Sequence, residues 1–137
     1  ILRQAPGGDV IFDVEKSLSL DGDSGPYLQY ALVRARSILA ASTVGDGAAL
    51  QFAGEVPTLA RLISRFPGVV ARAQALQAPH AITQYLTQLA SEWNSYYASG
   101  KIIGSADEAS RIALVHAFAT TMENGLTLLG IPAPQKM

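Results

Sequence analysis

Apolar residues recur three and four apart along most of the chain, the spacing of an α-helix that buries one face. The clearest run is 80–98, where Ile82, Tyr85, Leu86, Leu89, Trp93 and Tyr96 form one stripe and predict a core helix. A second long helix is predicted over 106–129, with Ile112, Val115, Ala119, Met122, Leu126 and Leu129 in line. Asp107 and Glu108 suit its positive N-terminal end, and Gly125 is a point where it should kink or weaken. Upstream, the turn-forming run Asp21 to Gly25 followed by Pro26 marks the start of a helix over 26–42. Leu28, Leu32, Ala35 and Leu39 share one of its faces, while Tyr27, Tyr30 and Arg34 share another, about 120° round.

Two shorter helices complete the pattern. One runs over 57–65 with Leu59, Leu62 and Ile63; the next starts at Pro67, carries Val69, Val70, Ala73 and Leu76, and is closed off by Pro79. The glycine-rich stretch 43–54 has no period and reads as a loop without a function of its own. Val10, Ile11 and Phe12 are the one run with strand character, too short to build a sheet. The expectation is an all-α bundle of about five helices with short connections and no internal repeat.

Length and composition support a packed core. At 137 residues the chain suits one domain, and 49% hydrophobic against 15% charged residues places it far from disorder. There are no cysteines, which excludes a disulfide framework and a thiolate metal site. No apolar run reaches the roughly 18 residues of a membrane span, and the start has no signal-peptide core, so no membrane partner is expected. Ile1 in place of a starting Met points to a chain cut from a longer one. Net charge is −1, but residues 1–30 sum to −3 and residues 31–72, with five arginines, to +3.

Catalytic chemistry is missing. Serines, Asp residues, His80 and His116 are present without a nucleophile-elbow signature, and two histidines without cysteine make a poor zinc site. His116, beside an apolar stripe, suits the edge of the core. Asp21 and Asp23 start like a calcium loop, but Gly25 and Leu32 occupy later ligand positions. Gly100-Lys101 resembles the end of a phosphate loop, yet Ser95 stands at the first glycine position and a helix precedes it. No catalytic, cofactor-binding or metal-binding residue is expected.

The run Gly25-Pro26-Tyr27-Leu28-Gln29-Tyr30-Ala31, continuing through Arg34, Arg36, Ser37 and Ile38, resembles the first long helix of the C-terminal anticodon-binding domain of arginyl-tRNA synthetases, enzymes of class I. Phe12-Asp13 and 18–24 resemble the lead-in to that helix, and Tyr96-Tyr97 the paired aromatics that end a later one. Arg111-Ile112-Ala113-Leu114 and 124–131 resemble the last helix, and Met137 the methionine with which many members end. Lys101-Ile102-Ile103 departs from the proline-containing segment of many members. The resemblance implies that 1–25 is an irregular lead-in from a missing catalytic domain and 26–137 the helical anticodon-binding domain. It implies a cytoplasmic parent that ligates arginine to its tRNA with ATP, through motifs (His-Ile-Gly-His-like and Lys-Met-Ser-Lys-like) that this chain does not contain.

The implied partner is the anticodon arm of arginine-accepting tRNA, and the implied contacts are Tyr27, Tyr30, Tyr97 and Met137. Single-stranded loops are read by stacking on aromatic and guanidinium planes, so a modest net charge is no bar. Arg34 shares the tyrosines' face and is a candidate phosphate clamp; Arg36 lies on a third side, a solvated position. One of Tyr27 and Tyr30 is expected to be buried, without indication which, and Trp93 belongs to the core. The alternative from another class is a non-catalytic helical protein-interaction bundle.

Overall fold

Ser24 starts the first helix by accepting a hydrogen bond from the backbone N–H of Tyr27 at 3.1 Å, while Pro26 occupies the first turn, where no donor is needed. A computed structural model describes residues 2, 4, 13–15, 24–45, 47–52 and 54–137. The strand-like run Val10 to Phe12 and the turn residues Asp21 to Asp23 lie outside them. The described helices are α1 (Gly25–Ala41), α2 (Thr58–Ile63), α3 (Phe66–Ala75), α4 (His80–Ala98) and α5 (Glu108–Leu128). Each predicted helix is present, with ends shifted by no more than two residues.

The core lies where α1, α4 and α5 meet, with α2 packed on α4 and α5, and α3 on α4. Leu32, Leu59, Leu86, Leu89, Trp93, Val115, Phe118, Met122 and Leu126 are fully buried. Helix α5 is wider in its burial than one stripe: Leu114, Phe118, Thr121 and Gly125, at steps of four, three and four, form a second buried row. It is the central helix, covered by neighbours on several sides. In the α4–α5 connection Lys101 is exposed and Ile102 inserts into the core.

Two local expectations change. Leu76, assigned to the buried face of the third helix, is 63% exposed. The helix stops at Ala75, and a turn with Gln77 at φ 49° and an Ala78 N–H to Ala73 C=O bond of 2.9 Å carries Leu76 outward. Gly125 does not interrupt α5, which continues to Leu128. Its missing side chain lets α4 approach: a Cβ there would lie 2.5 Å from Cδ2 of Leu86. Gly125→Ala therefore gains about 1 kcal/mol of helix propensity but overpacks the crossing at a cost of about 1–3 kcal/mol, and net destabilisation is expected. Urea denaturation checks it; a variant as stable as the parent would mean that Leu86 yields freely.

Tyr85 ties α4 to α2, its hydroxyl donating to the carbonyl of Leu62 at 3.1 Å. Burial pushes the phenol up to about 12. An unfolded tyrosine ionises near 10, so this contribution is complete below pH 10 and is lost as pH rises from 10 towards 12, by about 1 kcal/mol at pH 11. Tyr85→Phe should cost about 0.5–1.5 kcal/mol at pH 8 through the lost hydrogen bond, yet shed this share of the alkaline loss. Denaturation at pH 8 and pH 11 compares the two; an unchanged difference between the proteins would refute the burial argument. Among the described residues, no helix is long and apolar enough to cross a membrane.

Candidate nucleic-acid interface

Tyr27, Tyr30 and Arg34 project from α1 within an arc of about 60° at 100° per residue, and Tyr97 sits in the last turn of α4. Tyr27 is half-buried against the core and its hydroxyl accepts a hydrogen bond from Nδ2 of Asn94 at 3.0 Å, which cross-links α1 and α4. Tyr30 is 41% exposed and Tyr97 39% exposed. The open question of the pair is thus decided: Tyr30 faces outward and Tyr27 packs. Between the two exposed rings lies Arg34, its Cζ 4.2 Å from the centroid of Tyr97 and 5.6 Å from that of Tyr30. A guanidinium this close to a ring face is held by the ring quadrupole, worth about 0.5–1 kcal/mol at an exposed site.

The platform rests on the core. The Tyr97 ring lies 6.1 Å from Trp93, which stacks on Phe118 of α5 at 4.6 Å and 13°. Tyr96 contacts the same tryptophan at 6.4 Å but faces α5, with Arg111 5.9 Å from its ring. Burial raises the Tyr96 phenol, partly offset by the Arg111 charge. Arg111 is fixed by Asp107 at 2.8 Å, a hydrogen bond that holds that carboxyl below its usual range. The paired tyrosines therefore divide, Tyr96 turned to α5 and Tyr97 to Arg34 of α1.

Arg36 overturns its solvated reading. Its side chain is only 15% exposed, pairs with Glu123 of α5 at 2.9 Å, and donates from Nη1 to the carbonyls of Ala133 at 3.0 Å and Pro134 at 2.6 Å. Gln29 donates from Nε2 to the carbonyl of Pro132 at 2.9 Å. Gln29 and Arg36, seven residues apart, share one face of α1, and that polar pair was the available signal. Its partners are main-chain carbonyls about a hundred positions away, which leave no mark in composition. Met137 ends this segment and is 61% exposed. Among the described residues no group of three or more metal-ligating side chains gathers at any point.

Residues 28–137 match the DALR anticodon binding domain family. The chain belongs to this family. It is 40% identical over 133 residues to the arginine–tRNA ligase of Oenococcus oeni, an overlap of 92% of this chain and 23% of that protein. With the enzyme of Halothermothrix orenii it shares 35% over 135 residues, 94% of this chain and 24% of the relative. The solved arginyl-tRNA synthetase of Thermus thermophilus superposes with a TM-score of 0.87 at 34% identity, covering 98% of this chain and 25% of that one. The chain thus spans about a quarter of the length of the curated relatives it matches. The resemblance carried by Gly25 to Ala31 holds: this is a helical DALR domain of the arginyl-tRNA synthetase type.

Proposed function

We propose that this DALR domain binds the anticodon arm of arginine-accepting tRNA, as part of a cytoplasmic ligase that joins arginine to that tRNA with ATP. The observation that carries the reading is the exposed platform of Tyr30, Arg34 and Tyr97, set between α1 and α4 in a chain whose relatives are arginine–tRNA ligases. The Arg34 guanidinium lies over the Tyr97 ring, so an unpaired base can stack on the Tyr30 ring and on the arginine–tyrosine pair, and such stacking needs no excess of positive charge. Tyr27 packs beneath this surface on the core, and the exposed Met137 is a further apolar contact for the bound loop under this reading. The middle anticodon base, C, carries an amino group that needs an acceptor, and the last carbonyls of α4, beyond the helix's own bonding, lie next to Tyr97. ATP and the chemistry of ligation belong to the part of the parent outside this chain.

Titration with an arginine-tRNA anticodon stem-loop, and with one whose middle C is replaced, tests the proposal. Tighter binding of the first is expected. Equal binding of both would refute recognition of arginine tRNA, and arginine-dependent ATP–pyrophosphate exchange by this chain would refute the assignment of catalysis elsewhere.

A further inference from the structure

After α5 the chain turns at Gly130, with φ +70° and with Gly130 N–H to Thr127 C=O and Ile131 N–H to Leu126 C=O bonds of 3.0 and 2.9 Å. The residues that follow form no regular secondary structure, so their carbonyls have no ladder to join. Three consecutive ones, of Pro132, Ala133 and Pro134, are taken instead by side chains of α1: one by Gln29 and two by Arg36. A charged donor to two carbonyls is among the stronger side-chain hydrogen bonds, and Glu123 balances the charge at 2.9 Å. Ile131 and Ala133 pack against the core, but Gln135, Lys136 and Met137 are exposed and bury little. Fixing the backbone up to Pro134 therefore sets the starting point of three residues that add little to the core.

We propose that Arg36 and Gln29 are positioning residues, which hold 132–134 along α1 so that Gln135 to Met137 meet the tRNA bound at the Tyr30–Arg34–Tyr97 platform. The proposal rests on the anticodon reading above. The reach fits. Three extended residues span about 10 Å. The face of Gln29 and Arg36 lies about 100–120° from Tyr30 and about 140–160° from Arg34 around α1, arcs of roughly 10–12 and 13–15 Å at the radius of a helix with its side chains, so the three residues reach the near edge of the platform, at Tyr30. A segment already ordered gives up less conformational freedom on binding, which is the gain the two side chains provide.

The test compares stem-loop binding by the 137-residue chain, by Arg36→Ala, by a chain ending at Ile131 and by the combination of the two changes. Arg36→Ala and the truncation should each weaken binding about two- to tenfold, the range set by ordering one or two side chains, and together they should do no more than the truncation alone. Gln29→Ala, a change at the surface, should give a smaller loss in the same direction, and Arg36→Lys should restore part of the binding. If Arg36→Ala does not fold, Gln29→Ala combined with the truncation gives the same comparison. Losses that multiply would show that Arg36 acts through the bundle and not through the tail, and would overturn the proposal. Unchanged binding after truncation, with Tyr97→Ala still weakening it, would overturn the positioning role and leave the anticodon reading standing. Binding that responds to neither Tyr97→Ala nor the truncation would remove both.

Discussion

Trp93→Ala is expected to destabilise the chain by about 3–5 kcal/mol, the usual cost of emptying a large aromatic site in a core. The indole is fully buried, stacks on Phe118 at 4.6 Å, and carries Tyr96 and Tyr97 at its edges. Alanine would open a cavity where α4 meets α5, and such a loss is a large share of the roughly 5–15 kcal/mol that holds a domain together. The Nε1 group has no hydrogen-bond partner among the described residues, so the side chain contributes through packing. Trp93→Phe keeps a ring against Phe118 and gives up the unpaired N–H together with part of the indole's volume, so it should cost less than the alanine variant. Urea denaturation followed by far-ultraviolet circular dichroism measures both. A loss below about 1 kcal/mol for the alanine variant would mean that the surrounding leucines collapse into the site and that Trp93 is not the keystone of the α4–α5 contact.

Tyr97→Ala should weaken stem-loop binding by about 1–3 kcal/mol, the worth of one base stacked on an aromatic ring. Because the contact uses the ring face, Tyr97→Phe should retain most of it. At 39% exposure the side chain contributes little to the core, so the alanine variant should stay folded. Arg34 enters the same contact, since its guanidinium already lies 4.2 Å from the ring. The losses from Arg34→Ala and Tyr97→Ala should therefore add to less than their sum, as for side chains in direct contact. A phosphate role for Arg34 adds its own signature, a salt dependence of binding flattened by about one unit of slope in Arg34→Ala. Should Tyr97→Ala melt several degrees lower but bind unchanged where it is folded, the ring is a packing residue and the platform loses its central face.

Much of the architecture is written in local signals. Helix α4 follows from one unbroken stripe behind Pro79, and α1 from a turn cluster, a proline in the first turn and an apolar row at steps of four and three. The run Gly25 to Ala31, with the paired tyrosines at the end of α4, was enough to point to the family, because it carries both the helix start and the aromatic side chains of the site. Periodicity reports which residues share a face of a helix, and it does so without knowledge of any neighbour.

Which face is covered, and by what, depends on neighbours, and there the fold decided. Period sets Tyr27 about 110° and Tyr30 about 170° from the apolar row of α1, on its flank and opposite it; Asn94 of α4 then fixes Tyr27 by donating to its hydroxyl. Gly125 resembles a weak point in a helix read alone and becomes a close-approach site only when Leu86 lies across it. Leu76 belongs to an apolar row, yet its helix ends one residue before it. Arg36 resembles any surface arginine until residues 133 and 134, about a hundred positions on, bring their carbonyls to it. A backbone carbonyl is the same group in every residue, so no sequence pattern marks it as a partner. The sequence by itself determined the helices, their apolar rows and the family. The tertiary structure alone decided what Tyr27 bonds and what Arg36 holds, because both depend on contacts between residues that are distant along the chain.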